Sequence, residues 1–202
     1  GCPFCRGLRA SSTNNLESLR PEVAVEWHPT KNGDLTPDQV VVGSNRRFWW
    51  KCPNGPDHEW QAYVNNRTSR DSGCPMCAGR LASTTNSVSA KFPDLVAQWH
   101  PTKNGDLIPS QVTSTSHRKV WWQCPKGPDH EWKSECRTRT GDGHGGGGYG
   151  CPFCDGKRVS ATNNLVKLFP EVAASWPPTR NGGVPPDQVI AGKNNKYWWT
   201  CD

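Results

Sequence analysis

Four metal-ligand residues recur in one order and nearly one spacing, and no other feature narrows so far what this chain can fold into. Cys52, His58, Cys74 and Cys77 read Cys-x5-His-x15-Cys-x2-Cys; 72 residues later Cys124, His130, Cys151 and Cys154 repeat the order, with the central gap lengthened to twenty. Three thiolates and one imidazole make a borderline-soft tetrahedral shell, which selects Zn2+ over calcium or magnesium. Protein fills all four positions, whereas a catalytic zinc keeps one open for water, so the pattern predicts two structural sites. The competing reading, a disulfide with a bystander histidine, fits Cys-x2-Cys knuckles beside Pro and Gly less well.

The ligands belong to a larger repeat. Trp27, Trp99 and Trp176 are separated by 72 and 77 residues, and so are Cys52, Cys124 and Cys201, and Cys2, Cys74 and Cys151. This period overrides the prior from length alone and divides the 202 residues into three modules. Residues 1–77 end in the first zinc site, 78–154 end in the second, and 155–202 stop before a site is complete. The five extra residues of the second interval fall in the glycine-rich stretch 141–150, expected to be a surface insertion whose His144 is no ligand. The chain opens on the second half of a site, Cys2 and Cys5, and closes on Cys201, a first half. The expectation is a segment of a longer array, with these three cysteines in incomplete sites.

Hydrophobic residues are only 33%, and Gly and Pro number 20 and 18. A module of about 70 residues with that composition cannot bury enough apolar surface to offset its chain entropy. Structural zinc, contributing roughly 10 to 16 kcal/mol in finger peptides, is expected to make up the difference, and chelation to unfold the chain. The formal charge of +6 falls to about +4 when two sites each bring three thiolates to one Zn2+. That mild excess permits nucleic acid or an acidic protein face without demanding either. Ten cysteines used mainly as ligands point to an intracellular reducing compartment, the cytosol, nucleus or an organelle interior. Nothing in the sequence is apolar enough to span a membrane.

Local signals give an α+β module. Each Cys-Pro-x-Cys knuckle is followed by a small-residue link ending at Asn14, Asn86 or Asn163, expected as helix N-caps. Leu165, Leu168, Phe169, Val172 and Trp176 fall at helical spacing, and Pro21, Pro93 and Pro170 place a helix of about seven residues that ends at the tryptophan. Trp27 to Leu35 and Trp99 to Leu107 are identical, with Asn-Gly marking a tight turn and Thr36-Pro37-Asp38 a capped helical turn. Arg47 to Cys52 and Glu59 to Val64 alternate apolar and polar residues and predict a β-hairpin with the Cys-x5-His turn at its tip. His28 and His100 are excluded as ligands because Pro177 stands at the third equivalent position. Cys136 aligns with Val64 and is expected to be a spare thiol; Asn66-Arg67-Thr68, a formal glycosylation sequon, is expected to be an ordinary loop.

Taken together, Trp-His-Pro-Thr-Lys-Asn-Gly-Asp-Leu, Val-Trp-Trp-x-Cys-Pro-x-Gly-x-x-His-Glu-Trp, Asn-Arg-Thr and Gly-Cys-Pro-x-Cys resemble the treble-clef, zinc-ribbon family of zinc-finger repeats over nearly the whole chain. The resemblance implies small zinc-stabilised α+β repeats, each with a short helix, a β-hairpin carrying one knuckle, and a Cys-x2-Cys knuckle. It implies the same two quartets as ligands and, because similar modules occur beside endonuclease-like domains and in long tandem arrays, a binding role without catalysis.

Three functional classes follow. A scaffold of zinc-stapled repeats would bind protein subunits of a larger assembly. A nucleic-acid-binding array would use the cationic hairpin entry, Arg46, Arg47, Arg118, Lys119 and Lys196, with Trp49 or Trp50 stacking bases; yet eleven tryptophans in a chain so poor in aliphatics are better accounted for as core. An enzyme is set aside: the acid-acid-lysine set Asp129, Glu131 and Lys133 is spaced too tightly for separate strands, and Gln61 replaces the lysine in the first module.

Overall fold

In a computed structural model, residues 1–142 and 148–201 are described. The chain forms two compact units, Gly1–Lys91 and Phe92–Asp202. His144 lies outside the described residues.

In the first unit, helices α1 (Leu16–Leu19) and α2 (Pro21–Ala24) precede a 3-10 turn at Pro37–Gln39. Strands β1 (Arg47–Lys51) and β2 (Glu59–Tyr63) then form an antiparallel hairpin with Trp50 opposite Trp60. Helix α3 (Val64–Ser69) follows directly, and α4 (Val88–Lys91) closes the unit. The second unit contains α5 (Pro93–Val96), the hairpin β3 (Lys119–Gln123) and β4 (Glu131–Glu135), and α6 (Cys136–Thr140). Helices α7 (Leu165–Leu168) and α8 (Pro170–Ala174) follow, and a 3-10 turn at Pro186–Gln188 comes after them.

Period-two alternation puts one tryptophan of the pair inside in each of the two hairpins, whereas Trp198 and Trp199 of the third copy are both exposed. Trp50 and Trp122 are fully buried, and each indole N–H donates to a carbonyl across its own hairpin, Ala62 and Ser134. Trp27 meets Trp50 edge-on at 5.4 Å, and Trp99 meets Trp122 at 5.3 Å, a geometry worth roughly 0.5 to 1.5 kcal/mol beyond the area buried. The Trp27 and Trp99 indoles donate to Leu35 and Leu107 carbonyls at 3.0 Å, which closes the Asn-Gly loop over the ring. That loop reaches the sheet through Asn32: its amide donates to the Trp49 carbonyl at 2.9 Å and accepts the Trp49 N–H at 2.8 Å. Asn104 does the same for Trp121, and Asn181 for Trp198.

Three expectations change. The predicted seven-residue helix is a pair of four- or five-residue helices on either side of the proline, ending before the tryptophan. Proline at N1 starts α2 and α8 but cannot supply the N–H that would continue the turn before it, so the five apolar residues of the third copy share no buried face: Leu168, Phe169 and Val172 are exposed. Caps fall one residue later than expected, on Asn15 and Asn164. Asn86 instead accepts the Ser83 N–H and donates to the Met76 and Leu81 carbonyls, fastening link to knuckle. Asn66-Arg67-Thr68 is helical, not a loop, and Arg67 and Thr68 are buried. Trp50, being fully buried, is no base platform.

Candidate metal centres

Each site is assembled from two chain segments. In the first, the Cys52 N–H donates to the His58 carbonyl at 2.9 Å and the His58 N–H to Gly55 at 3.3 Å, so the hairpin tip closes with both side chains inward. The knuckle Cys74-Pro-Met-Cys77 is tied by Ala78 N–H to Cys74 carbonyl at 3.0 Å. The turn continues through Gly79 at φ +68°, a left-handed position that glycine takes without strain. The same backbone bonds recur around Cys124, His130 and Cys151.

The donor atoms of each quartet lie within 4.8 Å of one another. Cys52 and Cys77 sulfurs are 3.6 Å apart, and His58 Nδ1 is 3.6 Å from Cys74 Sγ and 3.5 Å from Cys77 Sγ. In the second site Cys124 and Cys154 are 3.8 Å apart, and His130 Nδ1 is 3.6 Å from both Cys151 and Cys154. A tetrahedral ion with bonds of about 2.3 Å to sulfur and about 2.0 Å to nitrogen separates its ligands by about 3.5 to 3.8 Å. A disulfide would need about 2.05 Å, and none of the ten cysteines forms one. The donor set and its edges fit Zn2+, which when bound cross-links hairpin to knuckle and leaves no coordination position for substrate.

The histidines are held from behind. His58 Nε2 lies 3.1 Å from Ser83 Oγ and 2.8 Å from Thr85 Oγ1, and His130 Nε2 is 3.1 Å from Ser160 and 2.7 Å from Thr162. Hydroxyl acceptors keep the proton on Nε2 and leave the Nδ1 lone pair for metal. Nearby, Asp57 accepts from both the N–H and hydroxyl of Thr84, and Asp129 from the Ala161 N–H, joining the hairpin tip to the link beyond the knuckle. Room for the ring comes from glycine: a Cβ on Gly55 would lie 2.5 Å from His58, and one on Gly127 2.6 Å from His130. Sequence reasoning passed over these hydroxyls and glycines, although Ser-x-Thr and Cys-Pro-x-Gly stand at matching positions in both copies.

Burial pushes the Cys52 thiol up to about 11 and Cys154 up to about 12, and raises Cys74. Cys77 goes the other way, because the Asn54 amide donates to its sulfur at 3.5 Å; the second loop has Lys126 there. Without an ion the Cys52, Cys74 and Cys154 thiols favour the neutral form, so zinc must displace their protons to enter.

The remaining candidates separate clearly. Cys2 and Cys5 are exposed on a knuckle of the same form, with Ser11 and Thr13 hydroxyls 3.2 Å apart behind it; Cys201 is also exposed. Cys136 is fully buried, its thiol pushed up to about 12 by that burial, and occupies the place of Val64 as a small apolar group. His28 and His100 accept the loop N–H groups of Thr30 and Lys31, and of Thr102 and Lys103, on Nδ1. Their Nε2 atoms face Glu59 and Glu131. Arg46, Arg47, Arg118, Lys119 and Lys196 are all exposed; Arg46 lies over Phe48 and Arg47 over Tyr63.

Two Cys3His tetrahedra, each closed between a hairpin tip and a Cys-x2-Cys knuckle in a small α+β setting, define a zinc-finger protein whose described metal sites are built for folding. The family model described as Probable Treble clef zinc finger domain matches residues 23–80, 95–157 and 172–202, and the chain belongs to that family. A search of curated proteins gives no match. No helix among the described residues is long and apolar enough to cross a membrane.

Proposed function

We propose that the chain is a non-catalytic scaffold whose zinc-stabilised modules bind protein subunits of a larger assembly. The observation that carries this reading is the closure of both quartets: with four protein donors each, zinc is committed to holding the fold. The carboxylates nearest the sites are likewise engaged. Asp129 accepts from the Ala161 backbone, and Glu131 is bound by Lys103 and His100, which argues against the Asp129, Glu131, Lys133 set as a reaction centre.

Base stacking on the tryptophan pairs has less support. Trp50 and Trp122 are interior, and Trp49 and Trp121 are half-buried on the hairpins. The cationic entry residues remain a surface for a partner of either kind. A photo-crosslinking residue in place of Lys119, activated in the native assembly at high salt where phosphate contacts are weakened, distinguishes the two. A polypeptide adduct is expected; an adduct to RNA or DNA would overturn the scaffold reading.

A further inference from the structure

A shallow groove of about 180 Å3 lies beside the second metal centre. Its walls carry Lys133, Tyr149, Asp155, Lys157 and Arg158. The repeat puts Gln61, Ser72, Ala78, Arg80 and Leu81 at the matching positions. Four of the five changes add an aromatic ring or a charge.

Tyr149 is held by its backbone while its ring faces solvent. Its N–H donates to the Thr138 carbonyl at 3.0 Å, its carbonyl accepts from Arg139 at 2.6 Å, and the residue is 66% exposed. The Lys157 ammonium lies 5.3 Å from the ring centroid and 3.4 Å from Asp155. Lys133 and Arg158 are exposed and, among the described residues, form no ion pair. The volume is below the roughly 300 to 1,000 Å3 of small-molecule sites, so the groove suits one flat unit of a polymer.

We propose that this groove binds single-stranded nucleic acid, with one base stacked on Tyr149, its exocyclic amine donating to Asp155, and flanking phosphates met by Lys133 and Arg158. Ring, acceptor and cations answer the three chemistries of a nucleotide. An acidic peptide would use the cations but would leave the exposed Tyr149 ring, the stacking surface of the groove, unused. The groove uses different residues from the cationic entry but shares its hairpin, Lys133 standing two residues from Glu135, the cross-strand partner of Lys119. A nucleic-acid crosslink at Lys119 that disappears with Tyr149→Ala would therefore report the groove and not the entry surface.

The test is a fluorescence-anisotropy titration of the full zinc-loaded chain with a short labelled single-stranded oligonucleotide, over a series of salt concentrations. Tyr149→Ala should weaken binding roughly fivefold or more, the loss of one stacked base. Lys133→Gln with Arg158→Gln should reduce the salt slope by about 1.4, two phosphate contacts at about 0.7 each. Gln61→Ala, at the matching strand position of the first unit, should change neither. Zinc content and circular dichroism must match wild type for each variant, as expected for exposed side chains. The proposal is overturned if the oligonucleotide does not bind, if Tyr149→Ala binds as wild type does, or if a polyglutamate peptide binds with the same dependence on Tyr149.

Discussion

At His58 and His130 the two ring nitrogens have separate duties, and the hydroxyls behind them are as much part of the sites as the sulfurs in front. Replacing Thr85 by Val and Ser83 by Ala leaves Nε2–H without an acceptor and frees the ring to turn. Outer partners of this kind typically contribute 10- to 100-fold in metal affinity. The double variant should therefore lose zinc to a competing chelator at roughly 10- to 100-fold lower chelator strength, while Thr85→Ser stays close to wild type; unchanged competition would show that the hydroxyls merely fill space. Gly55→Ala tests the other side of the ring, since the new methyl would stand 2.5 Å from it. A cost of about 1 to 3 kcal/mol, read by denaturant unfolding of the zinc-loaded chain, is expected.

Among the elements, the hairpin was the most legible in the sequence, because alternation of apolar and polar residues around Cys-x5-His fixes the strands, although it leaves open which of two adjacent tryptophans turns inward. The helices were less so. Spacing of apolar residues cannot tell one helix from two short ones split by proline, and only the structure shows that Leu168 and Val172 are exposed. Helix α3 was missed because its important residue is a buried cation, which no hydrophobic pattern reports. Arg67 lies 4.9 Å from the Trp50 ring and 5.1 Å from Trp60, with Glu26 as its ion-pair partner. Arg139 occupies the same place against Trp122 and Trp132, but its partner is neutral Gln98. Removing Arg67 leaves a partly buried carboxylate unpaired and removing Arg139 does not. Arg67→Ala should thus destabilise more than Arg139→Ala, as measured by denaturant midpoint. Asn32→Ala should cost about 1 to 3 kcal/mol by orphaning the Trp49 N–H; a neutral result would mean that water replaces the amide.

For the molecule as a whole, both metal sites could be read from ligand order alone, since tetrahedral coordination needs few residues and places them at short, recognisable spacings. The surfaces could not, because exposure of Tyr149 or burial of Trp50 depends on which face packs, and the sequence offers each as an aromatic beside a cation. The coupling of zinc to protons also belongs to this scale. Thiols raised by burial, Cys52 to about 11 and Cys154 to about 12, are protonated in the metal-free fold at neutral pH, so each must give up a proton as zinc enters. Zinc affinity therefore rises with pH and falls on acidification. Calorimetric titration in buffers of different ionisation enthalpy should show proton release on zinc uptake; no release would mean that the thiolates are already formed.

The claim on which the rest stands is that zinc supplies the stability an apolar interior of this size cannot. Native mass spectrometry of the purified chain, repeated after chelation and paired with circular dichroism, tests it directly. The account predicts two zinc ions held by the two complete quartets and loss of folded structure as they are removed. Fewer than two ions, or a chain that stays folded without them, would contradict it.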